Sequence, residues 1–391
     1  MHLDPIMPYL VGSMLIVLVM AVLLRALHQP YVVGYLLIGV LLGPHGIAVI
    51  ENEAVLGRMG SIGVVLLLFF IGMDVTPKQL MLNWKIAIIG TILQILVSIA
   101  CVWPLGVWMQ WPSGRVIMIG FVISLSSTAV VMKLLQEWNE SGSRVGRNVL
   151  GILLAQDLAV IPMLVVIGLL GDTSNESGNP LLQITGAGLI AAIAVLITIR
   201  ENIHLPLGKL LQRDHEMQVF AALFICLSLS LLTGMLGLST ALGAFVAGML
   251  VGAARETQWV HQSLEPFRVV FVAIFFVSIG MLIDLSFVRE HWQQVAILVA
   301  LALITNTFIN AVIFHLLGDR WRDSIYAGAL LSQIGEFSFV LVAVGLQAHI
   351  ISNFGYQLAI AVIAISLLVS PTWITSIRKL SGVTTGTHHR H

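Results

Sequence analysis

Residues 150–170 read Leu150-Gly-Ile-Leu-Leu-Ala-Gln-Asp157-Leu-Ala-Val-Ile-Pro162-Met-Leu-Val-Val-Ile-Gly-Leu-Leu170. A helix needs roughly 20 mostly apolar residues to cross the hydrocarbon core of a bilayer, and this run has that length. One ionisable side chain sits inside it. An ionised carboxylate at the bilayer centre costs at least ~2.5–3.5 kcal/mol, so Asp157 needs either a proton or a bound cation there. Pro162 donates no backbone hydrogen bond, which leaves the Leu158 carbonyl without its usual helical partner. Gln156 offers a neutral amide beside the carboxyl group and is read with Asp157 as binding the cation or proton. The plain alternative for Asp157 is a permanently protonated acid bonded to a neighbouring helix.

The rest of the chain repeats this apolar character. Of 391 residues, 58% are hydrophobic and 10% charged, against roughly 25% charged in a soluble domain. Net charge is zero, with no long basic run, so nucleic acid is excluded as a partner. Cys101 and Cys226 lie in apolar stretches and give neither a disulfide framework nor zinc spacing. No metalloprotease, nucleophile-elbow or P-loop motif occurs, so the chain reads as a non-enzyme without cofactors.

Thirteen apolar segments predict an all-α polytopic membrane protein with thirteen transmembrane helices. Spans 1–13 cover 7–27, 31–50, 55–74, 84–111, 114–135, 145–171, 181–200, 215–235, 238–254, 266–284, 291–317, 322–348 and 355–377. Span 1 lacks a basic n-region and a cleavage site, so it reads as retained. With this count, Arg58, Arg115 and Arg289 fall on the side of the N-terminus. The other sixteen of the nineteen basic residues fall opposite. Basic loops stay cytoplasmic, which puts the N-terminus outside and the C-terminus inside. Trp84, Trp103, Trp108, Trp111, Trp259, Trp292 and Trp321 mostly fall near span ends, as an aromatic belt does. His45 and His315 read as interfacial.

The chain also resembles itself at an offset of 208–209 residues. Gly39-Val-Leu-Leu-Gly43 matches Gly248-Met-Leu-Val-Gly252, Ile71-Gly-Met73 matches Ile279-Gly-Met281, and Pro162 matches Pro371. Spans 1–6 thus correspond to spans 8–13, with span 7 as linker. A shift of seven spans is odd, so the two six-helix repeats lie inverted in the membrane. That is the architecture of secondary transporters, with the binding site where the repeats meet. Matched polar interruptions then predict breaks in spans 5 and 12: Ser124, Ser126, Ser127 and Thr128 in one, Ser332, Gln333 and Glu336 in the other. Breaks there would aim half-helix ends and freed carbonyls at an ion. Their plain alternative is hydroxyls bonded to their own or adjacent helices. Asp157 and Glu336 are the acidic residues deep in spans, whereas Asp74, Glu265 and Asp284 read as span ends. Asp157 breaks the repeat's symmetry, because Ser366 occupies the equivalent position.

At these residues the chain resembles the monovalent cation:proton antiporters, in the branch of the Kef-type potassium-efflux systems. The motifs are Gly34-Tyr-Leu-Leu-Ile-Gly-Val-Leu-Leu-Gly-Pro44, Leu125-Ser-Ser-Thr-Ala129, Gln156-Asp157-x4-Pro162, Leu264-Glu-Pro-Phe267 and Gly335-Glu-Phe337. The resemblance implies a homodimer in the inner membrane that exchanges potassium for protons by alternating access, with Asp157 taking cation and proton in turn. It implies a panel formed by spans 1–3 (1–83) and 8–10 (214–290). It implies an ion-carrying core formed by spans 4–6 (84–172) and 11–13 (291–380), where spans 5 and 12 cross at their breaks. Residues 173–213 would link the halves, and 381–391 would form a tail.

Two departures stand out. Kef systems continue into a soluble regulatory nucleotide-binding domain, which is expected to be absent here because the chain stops soon after span 13. Many relatives carry Lys or Arg in span 11, a position that aligns with Asn306. A sodium/proton antiporter, a sodium-coupled symporter and a cation channel remain the alternatives, since side-chain identity does not fix ion selectivity.

Overall fold

The computed structural model describes residues 31–44, 46–47, 53–74, 84–171, 215–236, 238–254 and 258–382, with isolated helical residues between 11 and 22 and between 185 and 197. Most of span 1, most of span 7, His45 and the tail after residue 382 lie outside the described residues. Among the described residues the regular structure is helical throughout. In chain order the helices are α1 (Tyr31–Leu42), α2 (Glu53–Asp74), α3 (Trp84–Trp108), α4 (Ser113–Ser124), α5 (Thr128–Glu137), α6 (Arg144–Leu170) and α7 (His215–Met235). They continue as α8 (Thr240–Ala253), α9 (Gln258–Met281), α10 (Leu285–Glu290), α11 (Trp292–Leu316), α12 (Trp321–Leu330), α13 (Phe337–Gln347) and α14 (Asn353–Ser381).

Among the described residues, six stretches are long and apolar enough to cross a bilayer by length and composition: α3 from Ile86, α4 with α5, α6, α7 from Glu216, α11 and α14. Shorter apolar helices lie at Tyr31–Leu42, Gly60–Met73, Thr240–Ala253, Phe267–Met281 and Phe337–Gln347. Local chemistry shifts two boundaries from the sequence reading. Helix α1 ends at Leu42 rather than near residue 50, because a following proline disfavours helical geometry at Gly43. Helix α9 starts at Gln258, eight residues before span 10, so Glu265 lies within a helix rather than at its end. Hydropathy marks the apolar part of a helix, while backbone bonding continues into the polar flank.

The chain divides into two compact units. Unit 1 holds Met1–Lys78, Val160–Glu290 and Val340–Gln357; unit 2 holds Gln79–Ala159, His291–Phe339 and Leu358–His391. Unit 1 is built on glycine contacts between backbones. A Cβ on Gly39 of α1 would lie 2.7 Å from the Gly280 Cα of α9. A Cβ on Gly248 of α8 would lie 2.9 Å from the Phe69 carbonyl carbon and 3.0 Å from the Gly72 Cα of α2. Small residues let helices pack this closely where lipid removes the ordinary hydrophobic drive. Around these contacts the core is apolar, with Phe69, Phe70, Ala244, Ala247 and Val251 packed together. Helix α7 leaves Phe220, Phe224, Leu227 and Leu231 exposed at helical spacing, a stripe suited to hydrocarbon.

Unit 2 has the opposite interior. Apart from Gln218, Ser230, Thr233 and Ser278, the buried polar side chains among the described residues belong to it. At one end Glu140 accepts hydrogen bonds from Tyr326 (2.5 Å) and Arg378 (2.6 Å), and Arg378 stacks 4.2 Å over Trp138. Asp319 pairs with Arg144 at 2.6 Å and accepts from Asn148 at 3.1 Å. These bonds tie the α5–α6 turn to α12 and α14, and α6 to the α11–α12 turn, without leaving a buried acid uncompensated.

Gly248→Val should push α8 off α2 and lower stability by about 1–3 kcal/mol, the usual cost of overpacking. Thermal unfolding in detergent checks this against Gly168→Ala, where an added Cβ meets nothing within 4 Å. An equal melting temperature for the two variants would contradict the close-packing account.

Candidate functional site

Helix α4 stops because Leu125 is extended (φ −87°, ψ 127°), and α5 restarts behind Ser127. The Ser127 hydroxyl accepts from the Val130 N–H at 3.3 Å, as a helix N-cap does. The second interruption runs from Leu331 to Glu336, and α13 resumes with the Ser338 N–H on the Gly335 carbonyl at 3.1 Å. Both interruptions fall where the polar stretches of spans 5 and 12 lie.

A broken helix in a bilayer must rehouse its freed backbone groups inside the protein, and for the carbonyls that end α4 the partners can be traced one by one. On α4, Phe121 O accepts from Ser124 Oγ (2.8 Å), Val122 O from Ser338 Oγ (2.8 Å), and Ile123 O from Asn306 Nδ2 (2.9 Å). Ser124 O accepts from Gln156 Nε2 (3.1 Å), and Leu125 O from the Gly335 N–H (2.8 Å). On the other break, Leu331 O accepts from Ser126 Oγ (2.8 Å), and Ser332 O from Asn306 Nδ2 (3.1 Å). Gly335 lies so close to Ser126 that a Cβ there would sit 2.6 Å from its carbonyl carbon. The two breaks therefore contact each other directly, and Asn306 bonds to both.

Gln156 is engaged at both ends of its amide. Its Oε1 accepts from the Ser126 N–H (3.0 Å), and its Nε2 donates to Gln94 Oε1 (2.7 Å) as well as to Ser124 O. In the second break the Ile334 N–H, 208 positions beyond Ser126, bonds to Ser366 Oγ at 3.3 Å. Asp157, one residue along α6, is held differently. Thr128 Oγ1 lies 3.2 Å from each of its carboxyl oxygens. Glu336 faces the same turn: its carboxyl group bonds the Ser127 hydroxyl and the Ala129 N–H. Gln333 Nε2 donates to Ser127 O at 3.4 Å. Three consecutive residues at the start of α5 thus hold both intramembrane acids. Among the described residues no Lys or Arg forms an ion pair with Asp157 or Glu336.

The structure therefore brings Ser126, Ser127, Thr128, Gln156, Asp157, Ser332, Gln333, Glu336 and Asn306 into one polar centre in unit 2. Ser124 joins through its carbonyl, since its hydroxyl bonds back within α4. The freed carbonyls, expected to face an ion, already accept bonds from the protein. Sequence reasoning missed Gln94, Ser338 and the bonding role of Ser366. Gln94 had a signal: it is a wholly buried amide inside the apolar run of α3. His315 is exposed and stacks on Trp321 with ring centroids 4.3 Å apart.

The features so far define a multi-pass helical membrane protein with part-buried carboxyl groups beside its helix breaks. The chain belongs to the sodium/hydrogen exchanger family: the family described as sodium/hydrogen exchanger, transmembrane, matches residues 13–379. This is a family of cation:proton antiporters, transporters rather than enzymes. The Kef-type resemblance is borne out by the relatives. The chain is 32% identical over 376 residues to K(+) efflux antiporter 5 of Arabidopsis thaliana, covering 93% of this chain and 65% of that one. It is 28% identical over 365 residues to the glutathione-regulated potassium-efflux system protein KefC of Klebsiella pneumoniae, covering 91% and 58%. It is also 34% identical over 366 residues to the iron transporter MagA of Paramagnetospirillum magneticum, covering 92% and 83%. The chain thus spans less than two thirds of the length of both potassium-efflux relatives. Among solved structures, the sodium proton antiporter MjNhaP1 of Methanocaldococcus jannaschii at pH 8 superposes with a TM-score of 0.69. It has 16% identity and covers 96% of this chain and 98% of its own, a likeness of fold.

Gln156→Leu should strand the Ser126 N–H, the Ser124 carbonyl and the Gln94 amide. Each buried group left unpaired costs about 1–3 kcal/mol. Thermal unfolding without added potassium or sodium should show a clear loss of stability. Unchanged unfolding there would return Gln156 to the role of a cation ligand.

Proposed function

We propose that this chain exchanges potassium for protons across an inner membrane by alternating access, with Asp157 as the shared site. The observation that carries this is the setting of Asp157: a carboxyl group within an apolar helix, held by one threonine hydroxyl and by no ion pair among the described residues. Such a group can exchange a proton for a monovalent cation, and a charged partner would remove that choice. The plant and bacterial relatives named as potassium-efflux proteins favour potassium as cargo, with sodium as the alternative. In this reading Gln156 and Asn306 brace the breaks, and the Thr128 hydroxyl orients the carboxyl group.

The finer architecture is part of the same proposal: thirteen spans, inverted repeats, a homodimer, a panel of 1–83 and 214–290, and a core of 84–172 and 291–380. The division into units supports it, although residues 160–170 and 340–357 group with unit 1. The pairing of α1 with α9 and of α2 with α8 supports the repeat, since corresponding helices exchange partners across it.

One carboxylate holds either one proton or one monovalent cation, so the loaded site carries the same charge in both half-cycles. The exchange is then one for one and electroneutral, whereas each net charge moved would add ~2.3 kcal/mol per 100 mV. The relative named as an iron transporter favours a second reading, a metal-ion cargo at the same site.

Purified protein in liposomes with a trapped pH dye tests the proposal. Potassium should drive proton movement whose equilibrium does not shift with an imposed voltage. Asp157→Asn keeps size and hydrogen bonding but cannot trade a proton for a cation, so it should abolish exchange in a folded protein. Retained exchange in this variant, or a voltage-dependent equilibrium, would defeat the mechanism.

The sixteen-to-three basic asymmetry supports an outside N-terminus. In a cysteine-free background, a single cysteine at Asn175, outside the described residues, should react with an impermeant reagent added externally. One at Ser143 should be protected; the reverse pattern inverts the topology.

A further inference from the structure

The start of α5 holds more acid than a monovalent cycle uses. Thr128 bonds both oxygens of Asp157, and the residues on either side of it bond Glu336. Glu336 is also the acidic group whose charge acts on Asp157. Two further observations point to a ligand. The Glu336 Oε2 atom is buried and has no hydrogen-bond partner among the described residues. Gln333 is wholly buried and placed against Ser127 by its Nε2, and its Oε1 likewise has no partner among them. Unpartnered buried oxygens are costly unless something completes them, and both are attached to groups that converge on Ser127–Ala129.

The donors available are all oxygens: two carboxyl groups, the Thr128 hydroxyl and the Gln333 amide carbonyl. That set is hard, and it suits divalent ions such as manganese or magnesium better than soft-ligand metals. The charge count points the same way. A monovalent cation neutralises one carboxylate and leaves the second acid in whatever state it held. A divalent cation neutralises both.

We propose that Asp157 and Glu336 together form a two-carboxyl site that also accepts a divalent metal cation, exchanged for two protons. The inference rests on Asp157 being the exchanging group. Loading converts two carboxylic acids to two carboxylates, releases both protons on the side from which the metal enters, and places the metal between them. Unloading on the other side returns two protons. No net charge crosses, as in the monovalent cycle, where Glu336 keeps one state throughout. Glu336 thus sets which ion valence the site takes.

The test uses the full chain in liposomes, with manganese(II) or potassium as the driving ion, a trapped pH dye and a manganese measurement. Wild-type protein should move two protons per manganese ion. Glu336→Gln keeps an acceptor for the Ala129 N–H but removes the second charge. It should cut manganese-driven flux by roughly 10- to 100-fold and lower potassium exchange only a few-fold. Gln333→Met should raise the apparent KM for manganese more than that for potassium. Asp157→Asn should remove both activities. Protein that exchanges potassium but not manganese overturns the inference and leaves the antiporter reading standing. One proton per manganese overturns it too, as does equal loss of both cations in Glu336→Gln. Absence of exchange with either ion in wild type overturns the antiporter reading itself.

Discussion

A helix can be interrupted in hydrocarbon only where the protein supplies partners for the backbone groups it frees. In unit 2 that requirement shapes everything around it. The last carbonyls of α4 accept from Ser124, Ser338, Asn306, Gln156 and the Gly335 N–H, in order along the chain. Apart from Ser124 itself, the donors come from α6, α11, the second break and the start of α13, so those elements must lie where they do. Asn306 is the simplest case: one amide nitrogen serves a carbonyl from each break. A neutral side chain suffices there because its task is to satisfy carbonyls.

The same requirement explains why the two units differ inside. Unit 1 brings intact helices together through glycines, so its backbone groups stay bonded within each helix and its core can be apolar. Unit 2 contains the breaks and therefore carries most of the buried serines and glutamines, and the buried asparagines, among the described residues. Polar packing in a bilayer is tolerated where every group is satisfied, and it specifies one arrangement because few others satisfy all of them. The atoms left over matter for that reason. Glu336 Oε2 and Gln333 Oε1 are among several buried polar atoms of unit 2 without a partner among the described residues, and these two belong to side chains held at Ser127–Ala129, beside the residue that bonds Asp157.

Helix α5 links this network to chemistry. Its N-cap, Ser127, ends the first break, and the residues after it present a hydroxyl and an N–H to two acids. The positive end of a helix favours carboxylates, which gives two acids a reason to share one turn without a lysine or arginine. The two carboxyl groups held at this one turn are the groups proposed above to trade protons for cations.

Much of this was legible in the sequence. Apolar runs separated by short polar turns determined a multi-pass helical protein. The serine-rich and Ser-Gln-x-Gly-Glu stretches marked where helices break, because such residues have no reason to interrupt an apolar helix otherwise. Asp157 and Glu336 were visible as acids where acids are expensive. Boundaries at α1 and α9 were less legible, since hydropathy reports the apolar portion and not the hydrogen-bonded one. The sequence by itself could not show that Gln156 spends its amide on Ser126, Ser124 and Gln94, or that Asn306 bonds to two breaks. It could not show that Thr128 and Ala129 hold different acids. Those pairings join residues 26 to 207 positions apart. Composition and periodicity constrain which groups need partners, but only the tertiary structure decides which donor reaches which freed carbonyl.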